Sequence, residues 1–319
     1  MTPRARLPQP DGGLFLTDGG IETVLIHQQG IDLPAFAAFP LVDDERGREA
    51  LRGYFAPFLT LARDHDAGFV LTSPTWRANA DWGAEVGYDG DWLAAVNRRS
   101  IALMEELRAA VPSPQTVLIE GLLGPREDGY AAGSAMTPDE AAGYHAVQLD
   151  VLADTAADFV SAITLTYADE ATGVVRAAGR AGLPVAISFT LETDGRLPSG
   201  QSLADAIRQV DDETDGACAY FAINCAHPTH FANAIDDDAI RERVLGLRAN
   251  ASMLSHAELD EADELDEGDP VDLGARYVGL RDALPNLCIL GGCCGTDIRH
   301  VRAIAGAWTA ATQASAQDR

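Results

Sequence analysis

The chain has 319 residues, 47% of them hydrophobic, which is enough for a large apolar interior, and no run approaches the roughly 20 apolar residues of a membrane-spanning helix. Its 49 acidic residues outnumber 23 basic ones, all arginine, for a net charge of -26, a balance that excludes a phosphate-neutralising nucleic-acid surface. Five cysteines, two of them adjacent, make a poor disulfide framework, and no apolar stretch of signal-peptide length follows Met1, so the expectation is a cytoplasmic protein whose thiols are available.

Taken in chain order, short runs rich in Val, Ile, Leu and Phe predict strands over 14–16, 69–72, 117–120, 159–164, 185–189, 220–224, 244–247 and 288–290. Segments of helical periodicity separate them, at 54–66, 92–110, 139–156, 170–181, 203–213 and 275–283, and 297–307 closes the series. The Asp-rich stretch 263–269 has few apolar anchors and reads as a long loop. The clusters at 236–238 and 258–269 read as solvated surface.

Alternating strand and helix implies parallel strands joined by right-handed crossovers, and eight such units close a barrel. An open doubly wound sheet is the rival. No Gly-x-Gly-x-x-Gly follows the first strand, and the distinctive polar residues fall after many strands rather than at one switch point. The expected architecture is therefore a (β/α)8 TIM-type barrel, a single domain over residues 1–319.

In a barrel, function collects at the carboxyl ends of the strands. The residues there include Asp18-Gly19-Gly20 with Glu22 and Thr23, then Trp76 with Trp82 beyond it, Glu120, Ser188 with Thr190 and Glu192, Asn224-Cys225, Arg248 to Ala251, and Gly291-Gly292-Cys293-Cys294-Gly295-Thr296. Three sulfurs, Cys225, Cys293 and Cys294, thus follow two strand ends. Three protein ligands leave a tetrahedral zinc one position short, the arrangement of a catalytic site. Cys218 and Cys288 lie before or within apolar runs, where packing is the expected role. His227 and His230, just beyond Cys225, suit a helix start as well as ligation.

Asp18-Gly19-Gly20 with Thr23, Asn224-Cys225 and Gly291-Gly292-Cys293-Cys294 resemble the motifs of the homocysteine S-methyltransferase family, and matching segments run over nearly the whole chain. The resemblance implies a barrel in which Cys225, Cys293 and Cys294 bind Zn²⁺ and a substrate thiol takes the fourth position. It implies methyl transfer from a sulfonium or quaternary ammonium donor to that thiolate, with homocysteine giving methionine. The partners expected are a small-molecule thiol acceptor and a methyl donor, S-methylmethionine, S-adenosylmethionine or betaine, with no nucleic acid and no membrane. Asp18, Gly19, Gly20 and Thr23 are expected at the acceptor, as are Ser188, Asn224 and Asn250. Trp76 and Trp82 are candidates to face the donor's methyl cation through their π surfaces.

One departure limits the resemblance. The family usually places a Glu at the end of the fourth strand to hold the acceptor's amino group, and Ile163 occupies that position here. Glu120 and Glu192 are the candidate replacements; otherwise the acceptor is a different small thiol. A reading of another class, a non-catalytic zinc or redox-sensing barrel, leaves the Asp18 motif without a purpose.

Overall fold

Each of the eight apolar runs forms a strand: β1 (Phe15–Leu16), β2 (Gly68–Thr72), β3 (Val117–Leu123), β4 (Phe159–Leu165), β5 (Val185–Phe189), β6 (Phe221–Asn224), β7 (Val244–Ala249) and β8 (Ile289–Gly292). In the computed structural model, which describes residues 7–317 except 113, 114, 131, 132, 134 and 263, and only the backbone of 260, 316 and 317, all pair in parallel and close into a barrel, β8 returning to β1. The protein is a (β/α)8 barrel.

Crossover helices link the strands: α1 (Glu45–Asp64), α2 (Gly90–Ala110), α3 (Pro138–Ala153), α4 (Ala168–Ala181), α5 (Leu203–Thr214), α6 (Asp238–Arg243) and α7 (Pro270–Gly279), and α8 (Ile298–Gln317) follows β8. Part of the acidic surface is spent on their first turns. Asp44 accepts from Gly47 N at 2.8 Å to cap α1, Asp269 accepts from Val271 N at 2.8 Å to cap α7, and Thr137 with Glu140 closes a capping box on α3. Such caps contribute about 1 kcal/mol each. They also move boundaries. Helix α1 begins at Glu45 rather than 54, α7 at Pro270 rather than 275, and α6 is a helix that the sequence periodicity did not predict. Asp263 lies outside the described residues; 264–269 is irregular, as expected. Among the described residues no helix is long and apolar enough to cross a membrane.

Period-two alternation builds the barrel interior in layers. Phe15, Val70, Leu118, Phe159, Tyr220 and Ile289 plug the floor, each large side chain contributing roughly 1.5–3 kcal/mol by burial. The next inward positions are polar: Thr72, Glu120, Ser161 and Ser188. Above them Leu122 and Ile163 pack with Trp76 at the mouth. The alternate residues, such as Leu71, Ile119 and Phe189, face outward into the strand–helix core.

Candidate metal centre and substrate cavities

Cys225 follows β6, and Cys293 and Cys294 follow β8. Their three sulfurs all lie within 4.8 Å of one another. Tetrahedral zinc with 2.3 Å bonds would set thiolate sulfurs about 3.8 Å apart, so this donor set fits the metal. The Cα atoms of Cys225 and Cys293 are 5.5 Å apart, and the reduced thiols offer three ligands. Glycine is required around the sulfurs. A Cβ on Gly291 would strike Thr17 Oγ1, and one on Gly292 would strike Thr296 Oγ1. Without those side chains the loop closes tightly, with Cys293 N donating to Ala249 O at 2.8 Å and Thr296 Oγ1 to Cys293 O at 2.7 Å.

A tyrosine that sequence reasoning missed completes the sulfur cluster. The Tyr130 hydroxyl, on the loop after β3, lies 3.2 Å from Cys294 Sγ and 3.9 Å from Cys225 Sγ. Its ring packs on His256 at 4.3 Å between centroids. His256 Nε2 in turn donates to Cys225 O at 2.6 Å, and its Nδ1 sits 3.2 Å from Glu192 Oε1. Glu192 therefore braces the sulfur loop through His256.

A cavity of about 580 Å³ opens beside the sulfurs, and Asp18, Glu22, Ile163, Trp76 and Arg248 are in its wall. Gly19, Gly20 and Thr23 line it as well. A Cβ on Gly19 would meet Thr296 O at 2.7 Å, and Thr23 Oγ1 accepts from Gly295 N at 3.2 Å, so these residues tie the β1 loop to the cysteine loop. Asp18 is committed to two donors: Arg248 Nη2 at 2.6 Å on Oδ1 and Tyr54 Oη at 3.0 Å on Oδ2. Burial raises its carboxyl pKa, and the Arg248 guanidinium opposes that rise. Burial also pushes Glu22 up to about 7.

Glu120 lies a layer below. Its carboxylate accepts from Thr72 Oγ1 at 2.7 Å and Ser161 Oγ at 2.6 Å, with Arg248 Nη1 at 3.7 Å. It lines the small interior cavity beneath, together with Ser188, rather than the one holding the sulfurs. Asn224 Oδ1 accepts from Ser188 Oγ at 2.7 Å and Thr164 N at 2.9 Å, while its Nδ2 donates to Thr164 Oγ1 at 2.8 Å. The three bonds hold Thr164 at φ 62°, a conformation β-branched residues rarely adopt, and place its hydroxyl 4.0 Å from Cys225 Sγ. Asn250 is buried behind the Cys225 loop, its N donating to Ala226 O at 3.3 Å and its Oδ1 without a partner among the described residues.

The indole pair turns out to hold a cation of the chain's own. The Arg77 guanidinium carbon sits 3.4 Å from the Trp82 ring centroid and 4.3 Å from that of Trp76. Trp76 remains in the wall of the sulfur cavity; Trp82 covers Arg77 from behind. His227 caps the short helix Pro228–Phe231 by accepting from Thr229 N, as a helix start requires, and His230 Nε2 donates to Met253 O at 2.9 Å. Cys218 and Cys288 are buried in packing positions, and burial pushes each thiol up to about 12.

Arg248 and Glu22 stood among the strand-end residues, and that position was the only sequence signal they carried. Tyr130 and Arg77 carried none, since each depends on a loop folding back over the mouth.

A family model described as Homocysteine S-methyltransferase matches residues 15–308. Among solved structures, the homocysteine methyltransferase MmuM from Escherichia coli is similar in its oxidized form, with TM-score 0.72 and 20% identity, covering 92% of this chain and 95% of that one. Its metallated form gives TM-score 0.71 at 20% identity, with 92% and 96% covered. The apo form gives 0.65 at 19%, with the same coverage. No curated protein matches the chain significantly. The family match covers most of the chain and makes it a methyltransferase rather than a non-catalytic barrel. The chain belongs to the homocysteine S-methyltransferase family.

Proposed function

We propose that the protein is a zinc-dependent S-methyltransferase that moves a methyl group from a sulfonium or quaternary ammonium donor to homocysteine, giving methionine. The observation that carries this reading is the convergence of the Cys225, Cys293 and Cys294 sulfurs at the mouth, in the wall of a cavity that also holds acids and an arginine. When bound, Zn²⁺ supplies an open fourth position and lowers the pKa of a thiol that takes it. The metallated form known for MmuM supports a metal at this centre. A centre that works as thiolates also suits a reducing, cytoplasmic compartment.

The chain's residues position the acceptor. Arg248 gives N–H groups to Gly292 O, Thr72 Oγ1 and Asp18 Oδ1, with Glu120 Oε2 3.7 Å from Nη1, and a remaining N–H of Nη2 serves the acceptor's carboxylate. Asp18 and ionised Glu22 face its ammonium group. Ile163, Leu122 and Trp76 provide an apolar wall for its methylenes and exclude water. The thiolate sulfur then forms a bond to the methyl carbon while the donor's C–S or C–N bond breaks, its electron pair returning to the departing atom. The leaving group is neutral, and no proton moves in this step.

A second reading keeps the chemistry but changes the acceptor to a thiol acid without an α-amino group. It is favoured by Asp18, whose oxygens already accept from Arg248 and Tyr54, and by the apolar Ile163. Homocysteine and 4-mercaptobutanoate differ only in the amino group, and crossing both with S-methylmethionine, S-adenosylmethionine and betaine separates the readings. Reduced wild-type protein should hold about one zinc per chain and transfer methyl, and Cys293→Ser should lose both. Full transfer by metal-free protein would refute the mechanism.

A further inference from the structure

Arg77 is a buried charge with no ion-pair partner among the described residues. Its side chain follows Trp76 on the loop after β2, and the residue is only 8% exposed. Among the described residues its Nε and Nη1 have no hydrogen-bond partner, and no carboxylate forms an ion pair with it. The two indoles offset part of the desolvation through their faces, but a ring accepts nothing in the plane of the guanidinium. Buried charges are ordinarily paired and hydrogen-bonded. Asp128, Glu22 and Glu85 act on Arg77 only through space.

The arginine lines a second cavity, of about 1050 Å³, roofed by Leu265 and Asp266 of the acidic loop. This cavity and the one beside Arg248 share Thr23, Phe36, Trp76, Tyr130 and Cys294. The sulfur centre therefore stands at their junction, with the acceptor's groups on one side and Arg77 on the other. A methyl donor for in-line attack has to approach from the side the acceptor does not fill. Its onium centre is repelled by a guanidinium and drawn to the anionic sulfur cluster, so Arg77 sets which end of the donor faces which way.

We propose that Arg77 anchors the anionic group of a zwitterionic methyl donor, a sulfonium or ammonium carboxylate, and so points its onium methyl at the sulfur centre. The assignment rests on the methyltransferase reading above. Arg77 is on this view a positioning residue: it touches the donor's far end and takes no part in bond making.

A matched donor pair tests it. Dimethylsulfonioacetate and trimethylsulfonium differ by one carboxylate. In Arg77→Met, KM for dimethylsulfonioacetate should rise about 10- to 100-fold, the scale of lost charge-assisted hydrogen bonds. KM for homocysteine and the rate with trimethylsulfonium should stay within about twofold, a pattern that a merely structural lesion would not give. Binding of dimethylsulfonioacetate to reduced, metal-free protein, followed by calorimetry, should weaken in parallel. Arg77→Lys keeps the charge and should restore part of the discrimination between the two donors; it also decides the matter if Arg77→Met does not fold. Equal weakening of both donors, no change for either, or no binding of the zwitterion to wild-type protein would overturn the proposal. If wild-type protein binds the zwitterion but methylates no thiol, the methyltransferase reading fails while the binding comparison still decides on Arg77.

Discussion

Arg248→Met is the substitution that most directly tests how the cavity beside the sulfurs is held together. Asp18 is 1% exposed, and the Arg248 side chain 11%, with 2.6 Å between Oδ1 and Nη2. Glu120 lies 3.7 Å from the same guanidinium. Removing one partner of a buried pair costs about 3–5 kcal/mol, because the other charge is left uncompensated. An unfolding entropy of about 2.1 cal/mol/K per residue over 319 residues gives about 0.67 kcal/mol/K, so the melting temperature should fall by about 4–8 °C. The deficit has a sign with pH. Burial raises Asp18 and Arg248 is the largest influence lowering it, so without the arginine the folded protein binds a proton at higher pH than the unfolded chain does. A carboxyl raised on folding gains stability as pH falls, and the Arg248→Met deficit should shrink from pH 8 to pH 5. The double variant Asp18→Asn with Arg248→Met removes both charges and should regain more than half of the loss. Scanning calorimetry on the four proteins at both pH values is the assay. A deficit equal at the two pH values, together with a double variant no better than the single, would refute the account of the pair.

Two further outcomes follow from the same cavity. With burial holding Glu22 near about 7, its carboxyl loses its proton as pH rises through neutrality, so kcat/KM for homocysteine should climb through that range. Glu22→Gln should flatten the climb while 4-mercaptobutanoate, lacking an amino group, shows none of it in either protein; an unchanged profile in the variant excludes Glu22 as the ammonium contact. Asn224→Ala leaves Ser188 Oγ and Thr164 N without their acceptor, at roughly 1–3 kcal/mol for each buried group. Urea unfolding should show that loss, with part recovered by adding Thr164→Gly, since glycine takes the positive φ freely; a variant as stable as wild type would mean that Asn224 does not hold Thr164.

The barrel was legible because its strands are apolar runs bounded by glycine and small polar residues, and the sulfur set because two cysteines among glycines at a strand end serve packing poorly. Elements whose identity depends on charge were not legible in the same way. The first half of α1 is ionic on its surface, Glu45 with Arg48 and Arg52, which dilutes the apolar period, and α6 starts inside an acidic triplet where Asp237 acts as a cap through Ala239 N. Arg248 reads as an exposed strand-end arginine until Asp18, 230 residues away, is brought to it. Trp76 and Trp82 were sound candidates for a cation slot. The sequence did not reveal that the residue between them would supply the cation.

Ile163 and Arg248 are best understood together. An apolar residue at the end of β4 removes the carboxylate that the family resemblance places against the acceptor's ammonium, and the arginine at the end of β7 brings a cation into the same cavity. Taken alone, Ile163 would weaken recognition of an amino acid by deleting an attraction, and Arg248 would weaken it by neutralising Asp18. The ionic groups that remain are a guanidinium in the barrel, bonded to Asp18 and Thr72, and Glu22 in the short turn Ile21–Thr23 above β1. Under the proposed reading, an amino acid that keeps its thiol at the sulfurs turns its carboxylate to Arg248 and its ammonium to Glu22. Discrimination between homocysteine and its des-amino analogue then depends on one carboxyl that titrates near neutrality, which makes acceptor preference, and not only rate, a function of pH.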